Sequence, residues 1–125
     1  MKPSPRIAFL ASRAPDAQAA LATLQAEHGQ RDPGEADVLC VLGGDGFMLR
    51  TLHRYGPHGV PVYGMKLGTV GFLMNHFTPE HLHERIAAAH PAHLHPLAME
   101  AVTEAGATFR SLAYNEVSLL RQTRQ

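Results

Sequence analysis

A chain of 125 residues with 45% apolar content is about one domain's worth of sequence, with enough apolar side chains for a core. Eleven acidic residues balance eleven Lys and Arg, and the bases are not clustered, so neither nucleic acid nor a membrane surface is an expected partner. The lone Cys40 excludes an internal disulfide framework, no apolar run nears the roughly 18–20 residues of a membrane span, and no signal peptide is recognisable, all pointing to a cytoplasmic protein.

In chain order, residues 6–11 (R-I-A-F-L-A) read as a short buried strand. Ser12 leads into a helix with Pro15 in its first turn, an apolar stripe of Ala17, Ala20, Leu21 and Leu24, and Gly29 as its stop. Asp32-Pro33-Gly34 signals a turn. The run Val38–Leu42 is apolar throughout, as in a strand buried on both faces of a parallel sheet. Gly43-Gly44-Asp45-Gly46 breaks it, and Met48, Leu49, Leu52 and Tyr55 restart with helical spacing as far as Gly56-Pro57. Residues 60–65 predict a third strand, with Pro61 tolerable only at its start. A second glycine-rich stretch, residues 64–75, follows. Thr78 is expected to cap a third helix with Pro79 in its first position, Glu80 near its positive end, a buried face of Leu82, Ile86 and Ala89, and Pro91 closing it. This alternation predicts a three-layer, Rossmann-like α/β domain with a mainly parallel sheet and right-handed crossovers.

After Pro91 the pattern changes. Residues 94–102, 108–114 and 117–121 read as strands, with a hairpin turn at 104–106 and no helix between them, so antiparallel pairing is expected. The reading divides the chain into an α/β domain, 1–92, and the opening of a β-rich domain, 93–125. A two-sheet β domain usually needs about seven strands, so the second is expected to be truncated.

A strand, a glycine turn with a carboxylate, and a helix form the place where an open α/β sheet holds a ligand. Gly43, Gly44 and Gly46 are expected to permit torsions and close approach that a Cβ forbids, and their amides favour phosphate. The chain has no P-loop, and the dinucleotide fingerprint fails: Leu49 stands at its third glycine and Lys66 where its acid belongs. A plainer reading makes Asp45 a helix N-cap, worth about 1 kcal/mol. His81-x-His83 and His90-x-x-His93-x-His95 have metal-like spacing, yet no cysteine cluster or carboxylate pair accompanies them, so solvated helix ends and loops are expected and no metal ligands are assigned. Cys40 reads as an inert core residue, and Phe72 either as a stacking partner for a base or as a hydrophobic plug.

Gly-Gly-Asp-Gly after a buried strand resembles NAD kinases, phosphofructokinases, and diacylglycerol and sphingosine kinases. The G-x-x-G-F-L core at Gly68, Gly71, Phe72 and Leu73, and Asn115-Glu116 within Tyr114-Asn-Glu-Val117, narrow the resemblance to NAD kinases, in wording closest to bacterial, proteobacterial ones. The resemblance implies transfer of a phosphoryl group from ATP, or in some members polyphosphate, to the adenosine ribose 2′-hydroxyl of NAD, giving NADP. It implies that Asp45 takes the hydroxyl proton and that Gly43, Gly44 and Gly46 hold the phosphates, with Mg²⁺ arriving on ATP. Phe72 would line the NAD pocket, and Asn115 and Glu116 would bond the adenosine side. It further implies a homo-oligomer, dimer or tetramer, at full length, and a chain that binds NAD weakly and turns over little alone. Two departures stand out: Phe47 where many members have Thr, and Lys66 where Asn is common. The alternatives are another kinase sharing the glycine turn, or a non-catalytic nucleotide-binding remnant.

Overall fold

The computed structural model describes residues 5–55, 59–68, 73–94 and 117–121. In order these form β1 (Ile7–Ala11), α1 (Pro15–His28), a 3-10 turn (Pro33–Glu35), β2 (Val38–Leu42), α2 (Asp45–Tyr55), β3 (Val62–Lys66), β4 (Asn75–His76), α3 (Leu82–Ala88), β5 (His90–Leu94) and β6 (Val117–Arg121). All six strands belong to one sheet, in the order β1-β2-β3-β6-β5, with the short β4 also paired to β3. Every pairing is parallel except that of β5 with β6. The expected mainly parallel α/β sheet is therefore present.

Strand alternation divides the core in two. Ile7, Phe9, Val38, Cys40, Leu42, Tyr63 and Met65 face α1 and α3, meeting Ala17, Ala20, Leu24, Leu82 and Ile86. Ala8, Leu39, Val41 and Val62 face the other way, onto Met48, Leu49 and Leu52 of α2. β2 is buried along its whole length because helices cover both of its faces.

That arrangement corrects one expectation. β1, β2 and β3 lie side by side and parallel, while α1 and α2 sit on opposite faces. Two crossovers that step in the same direction over opposite faces have opposite hands, so they are not both right-handed.

The third helix is shorter than expected. Chain pairing holds the backbone extended as far as Phe77, whose N–H donates to the Lys66 carbonyl at 3.0 Å. His81 then takes a left-handed conformation, φ 58°, before α3 begins at Leu82, so Pro79 and Glu80 precede the helix. Thr78 does not cap it; its hydroxyl donates to the His76 carbonyl at 3.4 Å. Pro91 lies inside β5 rather than at the helix end, on the outermost strand among the described residues, a position where a missing N–H is tolerated. The antiparallel switch expected after Pro91 appears as the β5–β6 pair, and both strands extend the sheet begun by β1–β3. The expected strands at 94–102 and 108–114 fall largely on residues 95–116, which lie outside the described residues. No helix among the described residues is long and apolar enough to cross a membrane.

One side chain ties the strands together, and one glycine makes room for α2. Asn75 is buried, and its Nδ2 donates to the carbonyls of Gly64 in β3 (2.9 Å) and Leu120 in β6 (3.3 Å). Gly64 sits under α2, where an added Cβ would meet Met48 Cε and lie 2.8 Å from Met74 Sδ. Both methionines are fully buried, so their flexible ends have little room to retreat. Gly64→Ala is expected to cost about 1–3 kcal/mol, the usual penalty of overpacking, measured as a shift in urea midpoint.

Burial pushes the Cys40 thiol up to about 12 from an ordinary 9.0. Tyr63 is likewise pushed up to about 12 from 10.0, first by burial and then by the neighbouring Cys40, with Arg85 acting in opposition. Both groups keep their protons in the fold at pH values where the unfolded chain has released them. The unfolded state then binds fewer protons, so stability falls as pH rises from about 9 towards 12. Urea midpoints are expected to be level near pH 8 and to decline beyond about pH 9, with Cys40 unreactive to a thiol reagent until the chain unfolds; a level profile through about pH 11 would contradict this.

Candidate active site at the glycine turn

The parallel register brings three loops to one edge of the sheet. Ser12 N–H donates to the Leu42 carbonyl at 3.0 Å, and Gly43 N–H donates to the Met65 carbonyl at 3.2 Å, so the ends of β1, β2 and β3 stand level. The residues that follow these strands, Ser12–Ala14, Gly43–Gly44 and Leu67–Gly68, therefore share the edge where α/β sheets hold ligands.

The first helical hydrogen bond of α2 runs from Met48 N–H to the Gly44 carbonyl, 2.9 Å. Gly44 is thus the capping position and Asp45 the first helical residue, which replaces the reading of Asp45 as N-cap. The amides ahead of that first bond have no acceptor within the helix and form a surface that favours anions. Asp45 is half-buried, and its Oδ1 accepts the Leu73 N–H at 3.1 Å. One carboxylate thereby links the first glycine turn to the end of the second.

The torsions of this turn do not themselves demand glycine. Among the described glycines positive φ occurs at Gly29, Gly59 and Gly68, and none of Gly43, Gly44 or Gly46 shares it. At Gly43 a Cβ would lie 3.0 Å from Cδ2 of Phe47, so the ring takes the space a side chain would use. At Gly44 the nearest atom is Lys66 Cε, 3.6 Å from such a Cβ, and at Gly46 nothing lies within 4 Å. Gly43 also spends its N–H on Met65, which leaves the amides from Gly44 onward to face a ligand. Gly68, at φ +85°, is the glycine whose backbone does require the residue type.

A cleft of about 200 Å³ opens beside Gly43 and Gly44, bounded by the start of α1, Lys66 and Leu67. A larger groove of about 760 Å³ runs along α2 past Phe47, Arg50 and Tyr55, without contribution from the glycine turn. There the Arg50 guanidinium lies 5.9 Å from the centre of the Phe47 ring. Phe47 thus packs on the α2 side of the turn.

Of the residues assigned from sequence, the structure brings together Gly43, Gly44, Asp45 and Gly46; Phe72, Asn115 and Glu116 lie outside the described residues. β6 runs parallel to β3, so its first residue, Val117, stands at the edge where β3 begins, opposite the glycine turns. The roles of Asn115 and Glu116 therefore rest on the sequence resemblance. Sequence reading missed Lys66 as a wall of the cleft and Asn75 as a cross-sheet tie, although each was legible as a single polar residue closing an apolar run.

The family model of the ATP-NAD kinase N-terminal domain matches residues 9–91, which spans β1 to β5 and both glycine turns. The chain belongs to the NAD kinase family. It is 64% identical over 125 residues to the NAD kinase of Xylella fastidiosa strain 9a5c, covering all of this chain and 48% of that protein. The NAD kinase of Xanthomonas oryzae pv. oryzae strain MAFF 311018 is 58% identical over 127 residues, covering the whole chain and 49% of the relative. That of Cereibacter sphaeroides strain ATCC 17025 is 56% identical over 116 residues, covering 93% and 46%. The chain spans about half the length of these curated relatives. No solved structure matches it.

The Asp45 tie has a measurable consequence. Asp45→Ala removes the acceptor of the buried Leu73 N–H and is expected to cost about 1–3 kcal/mol in urea unfolding, whereas Asp45→Asn, which keeps an oxygen acceptor, loses less than half as much.

Proposed function

We propose that this chain carries the phosphoryl-transfer half of an NAD kinase, which phosphorylates the adenosine ribose 2′-hydroxyl of NAD with ATP–Mg²⁺ to give NADP. The observation that carries the reading is the pairing of Asp45 with the amides that open α2, on a chain of this family. Phosphoryl transfer asks the protein for alignment, for neutralisation of phosphate charge, and for a place to receive the hydroxyl proton. The amides from Gly44 to Phe47 answer the charge, because they lack helical acceptors. Asp45 answers the proton: the Leu73 N–H fixes Oδ1, holding the carboxylate in one orientation towards an incoming hydroxyl. Open space at Gly44 and Gly46 lets phosphates approach the backbone closely.

Magnesium enters as part of the nucleotide substrate. Among the described residues no three His, Cys, Asp or Glu gather around a common point, and Mg²⁺ typically takes only one or two carboxylates beside substrate phosphates. Phe72 would line the NAD pocket, and Asn115 and Glu116 would bond its adenosine side, by resemblance to the family. Oligomerisation and the choice between ATP and polyphosphate belong to the same proposal. The alternatives based on other glycine-turn kinases are weaker, because the second glycine motif and the family match both point to NAD.

The test follows NADP formation from NAD and ATP–Mg²⁺ by this chain and by the product of its reading frame carried to the relatives' length. In the active form, Asp45→Asn is expected to lower kcat by about 10²–10⁴-fold with the thermal midpoint little changed. Near-native turnover of the Asn variant would remove Asp45 from the proton-accepting role. Diacylglycerol and fructose 6-phosphate, offered in parallel, are expected to remain unphosphorylated.

A further inference from the structure

β1 is the outermost strand on one side of the sheet among the described residues. The Arg6 carbonyl accepts the Val38 N–H at 3.1 Å, and the Ser12 N–H donates to the Leu42 carbonyl at 3.0 Å. Alternate residues of a parallel strand turn their backbone groups to opposite edges, so those of Ile7, Phe9 and Ala11 point away from β2. Such an edge is a template for another strand, and proteins commonly blunt it with a charge, a proline or a bulge. The five residues I-A-F-L-A contain no charge and no proline, and they run in unbroken register with β2. A formal net charge of zero adds no general repulsion between copies of the chain.

The middle of this edge is nevertheless occupied. The Phe9 N–H donates to Gln30 Oε1 at 3.1 Å, and Gln30 Nε2 donates to the Phe9 carbonyl at 3.3 Å. One carboxamide thus offers an acceptor and a donor together, the same pair that a residue of a neighbouring strand would present. Gly29 sets its position. At φ 81° it ends α1, its N–H bonds the Gln25 carbonyl at 2.8 Å, and the chain turns back so that the next side chain reaches β1.

We propose that Gln30 stands in for an absent edge strand and holds closed a strand-docking surface whose fitting partner is β1 of a second copy. Two β1 segments related by a two-fold axis pair antiparallel, each offering the other the same outward groups. With Gln30 in place, an incoming strand has to displace both of its bonds at the centre of the edge before it gains its own. The device lies on α1 and β1 and is independent of the chemistry at the glycine turn.

The 125-residue chain and its Gln30→Ala variant are compared by sedimentation over a range of concentrations and by amide hydrogen exchange. Gln30→Ala is expected to self-associate about tenfold or more tightly than the parent. Its Phe9 amide is expected to lose protection when dilute, and those of Ile7, Phe9 and Ala11 to gain it when concentrated, while Ala8 and Leu10, which face β2, keep theirs throughout. Gln30→Met, which keeps the length of the side chain and lacks both polar groups, replaces Gln30→Ala if thermal midpoints show a failure to fold, and the same behaviour is expected of it. A variant that stays as monomeric as the parent would reduce Gln30 to a loop tie and overturn the proposal. Tighter association without new protection at Ile7 and Ala11, or a parent Phe9 amide that exchanges freely, would overturn it as well.

Discussion

The Asp45–Leu73 hydrogen bond is the constraint on which the site depends. It spans 3.1 Å between a side chain on the first turn of α2 and a backbone amide at the end of the second glycine stretch. Neither partner is free to drift. Asp45 is fixed because α2 is anchored to the sheet by Met48, Leu49 and Leu52, and Leu73 is fixed because its side chain belongs to the same buried cluster. A carboxylate near helix amides is already favoured by the local field, and the added donor gives it a single orientation. The first glycine turn and Leu73, at the end of the second glycine-rich stretch, are thereby held together.

That link needs α2 against one face of β2, opposite α1. The five residues Val38–Leu42 are all buried, so the chain lays α1 against one face and α2 against the other. Setting α2 on that second face requires space above β3, which Gly64 supplies beneath Met48 and Met74. Asn75 then locks the exit of the second glycine stretch to β3 and β6 through two carbonyls. Glycine in the middle of a strand is normally a weakness. Here it sets the height of the helix whose first turn carries Asp45.

The parts of this arrangement legible in the sequence are those written in short-range pattern. The run Val38–Leu42, the glycine break and the helical spacing of Met48, Leu49 and Leu52 located β2, the turn and α2 together. Gly29 ended α1 as expected because it takes φ +81°, a conformation with a local residue preference. The misses depend on partners distant in sequence. Thr78-Pro79 has the composition of a helix start, but the pairing of β4 with β3 keeps the chain extended beyond it and postpones α3 to Leu82. Pro91 has the composition of a helix stop, but the edge position of β5 accommodates it in a strand. The place of β6 beside β3 is a matter of tertiary pairing that no local window contains. The glycine turn illustrates both cases at once: its location was legible, while the crowding at Gly43 comes from Phe47, a neighbour placed by the fold.

Phe47 and Lys66 give the turn two unlike sides. On the α2 side the Phe47 ring fills the space next to Gly43, and Arg50 lies over the ring, so a phosphate finds carbon there. On the α1 side a Cβ at Gly44 would meet only Lys66 Cε, at 3.6 Å, and Lys66 places a charge beside the cleft. Gly43 is further withdrawn because its N–H completes the ladder with Met65, so the amides that can meet a ligand begin at Gly44. Sterics and hydrogen-bond accounting then favour the same side of the turn. On the kinase reading proposed above, an in-line displacement asks a donor phosphate met by the amides from Gly44 onward and an acceptor hydroxyl at Asp45 to approach from different directions.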